Sequence, residues 1–360
     1  MYSGDLPTAI QSVYPPITGD IWGQTTVSEK VSRQTAQLVT GKERVEVEGA
    51  RDDPKAHFGP AGRNVRQSGL TQLLEPEAMP TTHTVDCNAG EKIQDKIAIA
   101  RPGDTILVSG NCGENTIIPP EVVRITLDGQ GKTAIQAPAK GDGFFVRGRE
   151  ITIKGFTISG GRDGIHLSGS ASGASANIVG NTIRKTGRHG IHLDHTSVGR
   201  IAGNTIEEVH ACGIDVAEMS VARVGYLLRP QGPGPNTIRN CGEHGISVNR
   251  QSSARIVGNT IEGNKGSGVL VTRNSQADVF GNAISANGGD GITASHSAGV
   301  NFTNEDKLFD LGPNRTDAKS KNAGFGLSGS VGGYVDGPFG TLDGAKGARL
   351  LEHGCIDRLT

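Results

Sequence analysis

The string IVGNTI occurs twice in this chain, at Ile178–Ile183 and Ile256–Ile261, and near copies surround it: IAGNTI at Ile201–Ile206, PNTI at Pro235–Ile238 and VFGNAI at Val279–Ile284. Nine residues after each Asn stands a Gly followed by an aliphatic: Gly190-Ile191, Gly213-Ile214, Gly245-Ile246, Gly268-Val269 and Gly291-Ile292. Gly164-Ile165 precedes them, and successive Gly positions differ by 26, 23, 32, 23 and 23. A unit this short cannot bury an apolar face alone, so the copies must stack. Each reads as a strand ending in Asn-x-Ile, a turn, then Gly-Ile-x-aliphatic. Alternation in Ile191-His192-Leu193 sends Ile and Leu inward and His outward. A leucine-rich repeat shares the period but requires several Leu per unit and a helical side, and neither is present. The pattern therefore predicts an all-β chain, a right-handed parallel β-helix (solenoid).

Weaker copies at Ile125-Thr126-Leu127 and Ile151-Thr152-Ile153 extend the repeat upstream. Between Gly90 and Arg101, apolar Ile93, Ile97 and Ile99 predict a short N-terminal capping helix over the open end of the solenoid. Residues 1–80 are polar and aperiodic and read as an irregular arm, extended or partly disordered. The expected organisation is thus an arm over 1–80, the β-helix over 81–335 and a Gly-rich C-terminal cap over 336–360. The 54 Gly serve turns, and an aromatic content of 4% suits a core of small aliphatics. A formal net charge of −1 gives no electrostatic reason to expect nucleic acid as partner. No run of 18 apolar residues predicts membrane insertion, and Met1–Asp20 shows no signal-peptide pattern. Cys87 and Cys112 lie 25 residues apart, close to one coil. They read either as a disulfide between neighbouring coils, which suits an oxidising compartment, or as two buried thiols.

These features resemble the pectin-lyase-like superfamily of right-handed parallel β-helix proteins. The GNTI…GI units carry the resemblance, together with the opening TVDCNAGEKIQDKIAIARPGDTILVSG that ends at Gly110. It covers roughly residues 84–330. It implies the fold, and a range of activities from polysaccharide lyases, glycoside hydrolases and uronate epimerases to tailspikes and adhesins. The segment Ile191-His192-Leu193-Asp194-His195 resembles an aliphatic-Trp-aliphatic-Asp-His motif of pectate lyases, with His in the Trp position. It also resembles a His/Asp segment of β-helical alginate epimerases, with a different residue order.

The outward position after each Gly-Ile runs His166, His192, Asp215, Ser247, Leu270, Thr293. Two residues on, the next column runs Ser168, Asp194, Ala217, Asn249, Thr272, Ser295. With coils about 4.8 Å apart, His166, His192 and Asp215 should line up beside Asp194. A single outward His is ordinarily a solvated surface residue; acids and imidazoles concentrated on adjacent coils point to chemistry instead. His192, Asp194, Asp215 and His166 are accordingly the catalytic candidates. Arg188, His189, Tyr226, His244, Asn249 and Arg250 are the substrate-binding candidates, with an insertion over roughly Met219–Pro235 expected to wall the groove. Cys212 and Cys241 read as core filling. The Asn ladder reads as structural.

Three chemistries fit these residues. Asp194 and Asp215, about 8 Å apart at the backbone, suit an inverting acid and base. His192 or His166 suits a base for lyase or epimerase chemistry, with Arg188 or Arg250 clamping a carboxylate. Asp194 and Asp215 could instead hold Ca²⁺. Between Arg162 and Arg273 there are ten Arg and two Lys, and few aromatics for stacking neutral sugars, which leans towards an acidic polysaccharide as partner. The expectation is a secreted or cell-surface protein acting on a uronate-containing polysaccharide. The alternative is a non-catalytic glycan-binding, adhesin or tailspike-like protein.

Overall fold

A computed structural model describes residues 79–170, 173–226, 234–303 and 311–360. The arm expected over residues 1–80 lies outside them except for its last two residues. The remainder is a right-handed parallel β-helix with three strand faces per coil. The first face runs in parallel from Thr82–Asp86 to Ile356–Leu359. The second begins at Asn111–Cys112 and ends at Ala283–Ser285. The long strands Thr126–Ala137 and Ile151–Gly160 bend across both. The third face is a separate sheet of ten strands, from Thr116–Ile118 to Gly347–Leu351.

The repeat sets the register. Ile165, Ile191, Ile214, Ile246, Val269 and Ile292 pair in sequence and are all fully buried. The Gly before each is required by close approach. A Cβ on Gly213 would lie 2.4 Å from Ile238 Cγ2 and 2.7 Å from the Gly245 carbonyl oxygen. At the corner between the first two faces, Asn181, Asn204, Asn236, Asn259, Asn282 and Asn314 form a buried ladder. Asn181 Oδ1 accepts the backbone N–H of Phe156, and each later Oδ1 accepts that of the Asn one coil earlier, as Asn236 Oδ1 does from Asn204 N at 2.9 Å. Each Nδ2 up to Asn282 donates to the next Oδ1. The ladder satisfies backbone groups that a sharp corner would otherwise bury unpaired.

After the five third-face strands from Ile191–Asp194 to Ile292–Ser295 the chain turns through two non-Gly residues in the left-handed region: His195-Thr196, Glu218-Met219, Arg250-Gln251, Arg273-Asn274 and His296-Ser297. This turn brings His195, Glu218 and Arg250 into one surface line.

At the N-terminal end a helix, Ile93–Ile97, buries Ile93 and Ile97 against the core. Glu114 accepts the N–H groups of Ile93 and Gln94 at 2.9 and 3.3 Å, satisfying donors that the helix start leaves open. Ile99, expected on its buried face, is exposed. Cys87 and Cys112 are joined in a disulfide with Cα atoms 5.1 Å apart. The far end corrects the sequence reading. Residues 336–360 do not form a separate cap: Gly347–Leu351 and Ile356–Leu359 continue the parallel ladders as a further coil. Their Asn-x-Ile and Gly-Ile signals have decayed, which hid them.

Candidate functional site

On the third face, strand pairing places Phe145, His166, His192, Asp215 and Ser247 in one column. The side chains point away from the core, yet they are not solvated. His166 and His192 are 6% exposed, Asp215 8% and Asp194 9%. The rings cover one another: His166 stacks on His192 with centroids 4.7 Å apart, Phe145 lies 5.0 Å from His166, and His189 lies 5.1 Å from His192. The expectation that outward residues here carry little burial is therefore corrected.

Two successive coils share the pattern Arg-x-Gly-Ile-His, Arg162-Asp163-Gly164-Ile165-His166 and Arg188-His189-Gly190-Ile191-His192. In both, the Arg reaches back one coil to a carboxylate and lies against its own His four residues on. Arg162 donates Nε and Nη2 to the two oxygens of Asp142 at 3.2 and 3.1 Å. Its Nη2 is 3.0 Å from His166 Nδ1. Arg188 donates Nε and Nη2 to the oxygens of Asp163 at 3.0 and 2.5 Å, and its Nη2 is 2.6 Å from His192 Nδ1. Such bidentate pairs fix both partners. Asp163 is fully buried and Asp142 5% exposed, while the Arg162 and Arg188 side chains are 48% and 37% exposed.

His166 lies between two carboxylates, with Nδ1 3.3 Å from Asp142 Oδ2 and Nε2 3.1 Å from Asp194 Oδ2. Burial opposes a charge on this ring, but hydrogen bonds to Asp142 and Asp194 outweigh it and lift its pKa to about 8. Burial likewise opposes charge on Asp142, Asp163 and Asp194. Hydrogen bonds from His166 and Arg162 to Asp142, the neighbouring His192 ring with hydrogen bonds from Arg188 at Asp163, and hydrogen bonding from His166 to Asp194 hold all three below the usual carboxylate range. His195 Nδ1 lies 2.9 Å from Asp194 Oδ1 as an ion pair, outside hydrogen-bonding geometry, and its Nε2 lies 3.1 Å from Glu218. The neighbouring Asp194 raises the His195 pKa.

Asp215 takes Asn249 Nδ2 at 2.8 Å, with His192 Nε2 and His189 Nε2 at 3.4 and 3.8 Å. Asn249 thus joins the cluster as a support for Asp215. His189 and His244 serve the backbone, because their Nδ1 atoms accept the N–H of Cys212 and of Ser267 at 3.2 and 3.0 Å. Burial lowers the pKa of both. Arg250 stands in the surface line, 3.5 Å from Glu218. Tyr226 is not brought to the cluster. It follows the first-face strand Val221–Gly225 and packs with Val257, Phe280 and Leu311. Of the expected groove wall, Val221–Gly225 is a regular strand of another sheet, and residues 227–233 lie outside the described residues. Cys212 and Cys241 are buried free thiols, and burial pushes Cys241 up to about 12. An open depression of about 690 Å³, lined by Lys185, His210, Glu243 and Lys265 among others, lies at the turn before the third face and includes none of the stacked histidines.

Asp142, Asp163 and Arg162 were missed from sequence. The signal available was the repeated Arg-x-Gly-Ile-His spacing, and the acid just before a Gly-aromatic or Gly-Ile pair.

The sequence model of the family described as "Periplasmic copper-binding protein (NosD)" matches residues 83–226 and, in an overlapping alignment, 125–306. The chain belongs to this family. No curated protein matches it. Among solved structures this NosD-family chain is similar to pectate lyase Pel9A, at 10% identity and TM-score 0.46, covering 79% of each chain. It is also similar to the Azotobacter vinelandii mannuronan C-5 epimerase AlgE6 A-module, at 14% identity and TM-score 0.40, covering 77% of this chain and 89% of that one. A third is the alginate lyase from Paenibacillus sp. str. FPU-7, at 13% identity and TM-score 0.34, covering 77% and 99%.

The family's description raises copper, and the donor atoms answer. Among the described residues, ligand atoms converge within 4.8 Å in two groups, Asp163–His166–His192 and His189–His192–Asp215. In the first, Arg188 already binds the Asp163 carboxylate bidentately, and an Arg Nη2 faces each His Nδ1. In the second, Cys212 N–H and Arg188 donate to the Nδ1 atoms of His189 and His192, so the neutral rings carry their protons on the Nε2 atoms that would have to ligate. As arranged, neither group fits a copper ion. Asp194, expected with Asp215 to hold calcium, joins neither group.

Proposed function

We propose that the third face between Asp142 and Asn249 binds an acidic, uronate-bearing polysaccharide and acts on it by removing the proton next to a sugar carboxylate, giving elimination or epimerisation. The observation that carries this reading is the pair of half-exposed guanidiniums on adjacent coils. Arg162 and Arg188 spend Nε and Nη2 on buried carboxylates, and their Nη1 atoms make no hydrogen bond among the described residues. Two outward Nη1 edges one coil apart suit the repeated carboxylates of a polyanionic chain. A bound guanidinium would stabilise the charge that develops on a uronate carboxylate as its neighbouring proton leaves. Directly beneath are two imidazoles in different states. His166 is held as the proton-bearing acid, and His192 is the base once a bound carboxylate draws Arg188 Nη2 away from its Nδ1. Asp215 and Asn249 orient His192.

Location outside the cytoplasm fits the same reading, because the Cys87–Cys112 disulfide requires an oxidising compartment. A second reading, a face that binds glycan without turning it over, is favoured by how fully the carboxylates and imidazoles are already paired. One experiment separates the two. The protein is incubated with a panel of uronate polymers while ultraviolet absorbance of unsaturated products, reducing ends and epimer composition are followed, with Arg188→Ala and His192→Gln as comparisons. Turnover lost in both variants supports the enzyme. Retention of a polymer on the immobilised protein, weakened by Arg188→Ala and with no product formed, supports the binder. Neither turnover nor retention refutes both.

A further inference from the structure

We propose that Arg162 and Arg188 stand in the place of a metal ion: Asp163, His166 and His192 form a metal-type triad whose positive charge the chain supplies itself, so the native protein holds no copper there. The inference rests on the triad's geometry and is independent of the polysaccharide reading. Three side chains of typical metal-ligating type, one carboxylate and two imidazoles, are all at least nine-tenths buried and bring donor atoms within 4.8 Å of one another. Such a group ordinarily needs a cation, because an uncompensated buried carboxylate is strongly unfavourable. Here the compensation is visible. Arg188 closes on both oxygens of Asp163, and Arg162 Nε lies 3.4 Å from Asp163 Oδ2. The same guanidiniums lie 3.0 and 2.6 Å from the Nδ1 atoms of His166 and His192. Asp142, on the coil before, is neutralised by Arg162 and the His166 ring. A guanidinium therefore meets both oxygens of Asp163 and one nitrogen of each ring. Removal of the guanidiniums would uncover a carboxylate and two imidazole nitrogens, the donor set that suits Zn²⁺ or Cu²⁺.

The test uses the full chain with Zn²⁺ and Cu²⁺ as probes. Ions retained per chain after desalting are counted by elemental analysis, and Tm is recorded with and without metal. Free thiols and exposed histidines bind metal too, so each count is read against a partner lacking His192. The native chain and His192→Gln should retain equal numbers of ions. Arg162→Ala/Arg188→Ala should retain about one more than native, with a raised Tm in metal, and adding His192→Gln should abolish that gain. A native chain that retains an additional ion lost in His192→Gln overturns the proposal. So does a folded double variant with no gain. Should the double variant fold only when Zn²⁺ is supplied, the latent site is supported; failure to fold with Zn²⁺ present as well as without it counts against it.

Discussion

His166 couples the stability of the solenoid to pH near neutrality, and the effect can be isolated. Its ring faces Asp142 and Asp194 on its two nitrogens, with Arg162, His192 and Phe145 around it. Because the folded pKa of about 8 lies above the reference value of 6.5, the protonated ring stabilises the native state. That stabilisation is fully present below about pH 6.5 and fades as pH rises through about 8. A shift of this size corresponds to about 2 kcal/mol. The ring is 6% exposed, so solvent screening does not erase it. The assay is urea unfolding of the native chain and His166→Gln at about pH 6 and about pH 9. Other groups titrate in the same window, including His195, whose pKa Asp194 also raises. They act in both proteins and largely cancel in the difference. The stability gap between native and variant should shrink by about 2 kcal/mol on going to the higher pH. A gap that stays constant or widens would refute the placement of an imidazolium between two carboxylates.

Asp163→Asn keeps an acceptor for the His189 N–H that Asp163 Oδ1 takes at 2.9 Å, whereas Asp163→Ala orphans it; the alanine variant should be the less stable by about 1–3 kcal/mol in urea unfolding. Asn236→Ala removes four buried hydrogen bonds, to Asn204 N, Asn204 Nδ2, Ile201 O and Asn259 Oδ1, and should cost about 3 kcal/mol, against under about 1 kcal/mol for the half-exposed Asn177→Ala. Gly213→Ala, with its new Cβ 2.4 Å from Ile238 Cγ2, should cost at least about 1–3 kcal/mol and loosen amide protection in the coils on either side. Reduction of Cys87–Cys112, which closes a span of 25 residues, should cost about 3.5 kcal/mol and free the Ile93–Ile97 helix first, read by hydrogen exchange in that segment.

The architecture was legible because stacking imposes it on each coil. Gly213 cannot carry a Cβ, Asn236 must meet four partners, and Ile246 fills the core, so the same letters recur at the same positions. The last coil was illegible because its strands, Gly347–Leu351 and Ile356–Leu359, come without the Asn corner that announced the others. In the site, the column His166–His192–Asp215 followed from counting residues after each Gly. The acids on which those histidines rest did not. Asp142 and Asp163 stand before the Gly, at a position that reads as part of a turn until the neighbouring coil is laid against it. Burial was misjudged for a related reason. Outward direction belongs to one strand, whereas cover comes from the coils above and below and from the two arginines.

The position before each Gly also separates structure from function. Where that residue is Asp or His, its side chain accepts the backbone N–H of the next coil. Asp142 does so for Asp163, Asp163 for His189, His189 for Cys212, His244 for Ser267 and Asp290 for Phe325. Asp and His both serve, so a lone pair suffices there. Accepting an N–H requires no charge. Where the residue is a buried Asp, at 142 and 163, an Arg follows one coil later, at 162 and 188. Where it is His189, the corresponding residue of the next coil is Ala211, and where it is the less buried Asp290, hydroxyls of Thr293 and Ser328 suffice. The two acid–guanidinium pairs are therefore additions to a scaffold that stands without them elsewhere. Both lie against the only two histidines of the column, and they leave two arginine edges facing solvent. An addition that the fold does not need, repeated on two adjacent coils and confined to the histidine pair, is the physical reason for locating the function of this face there.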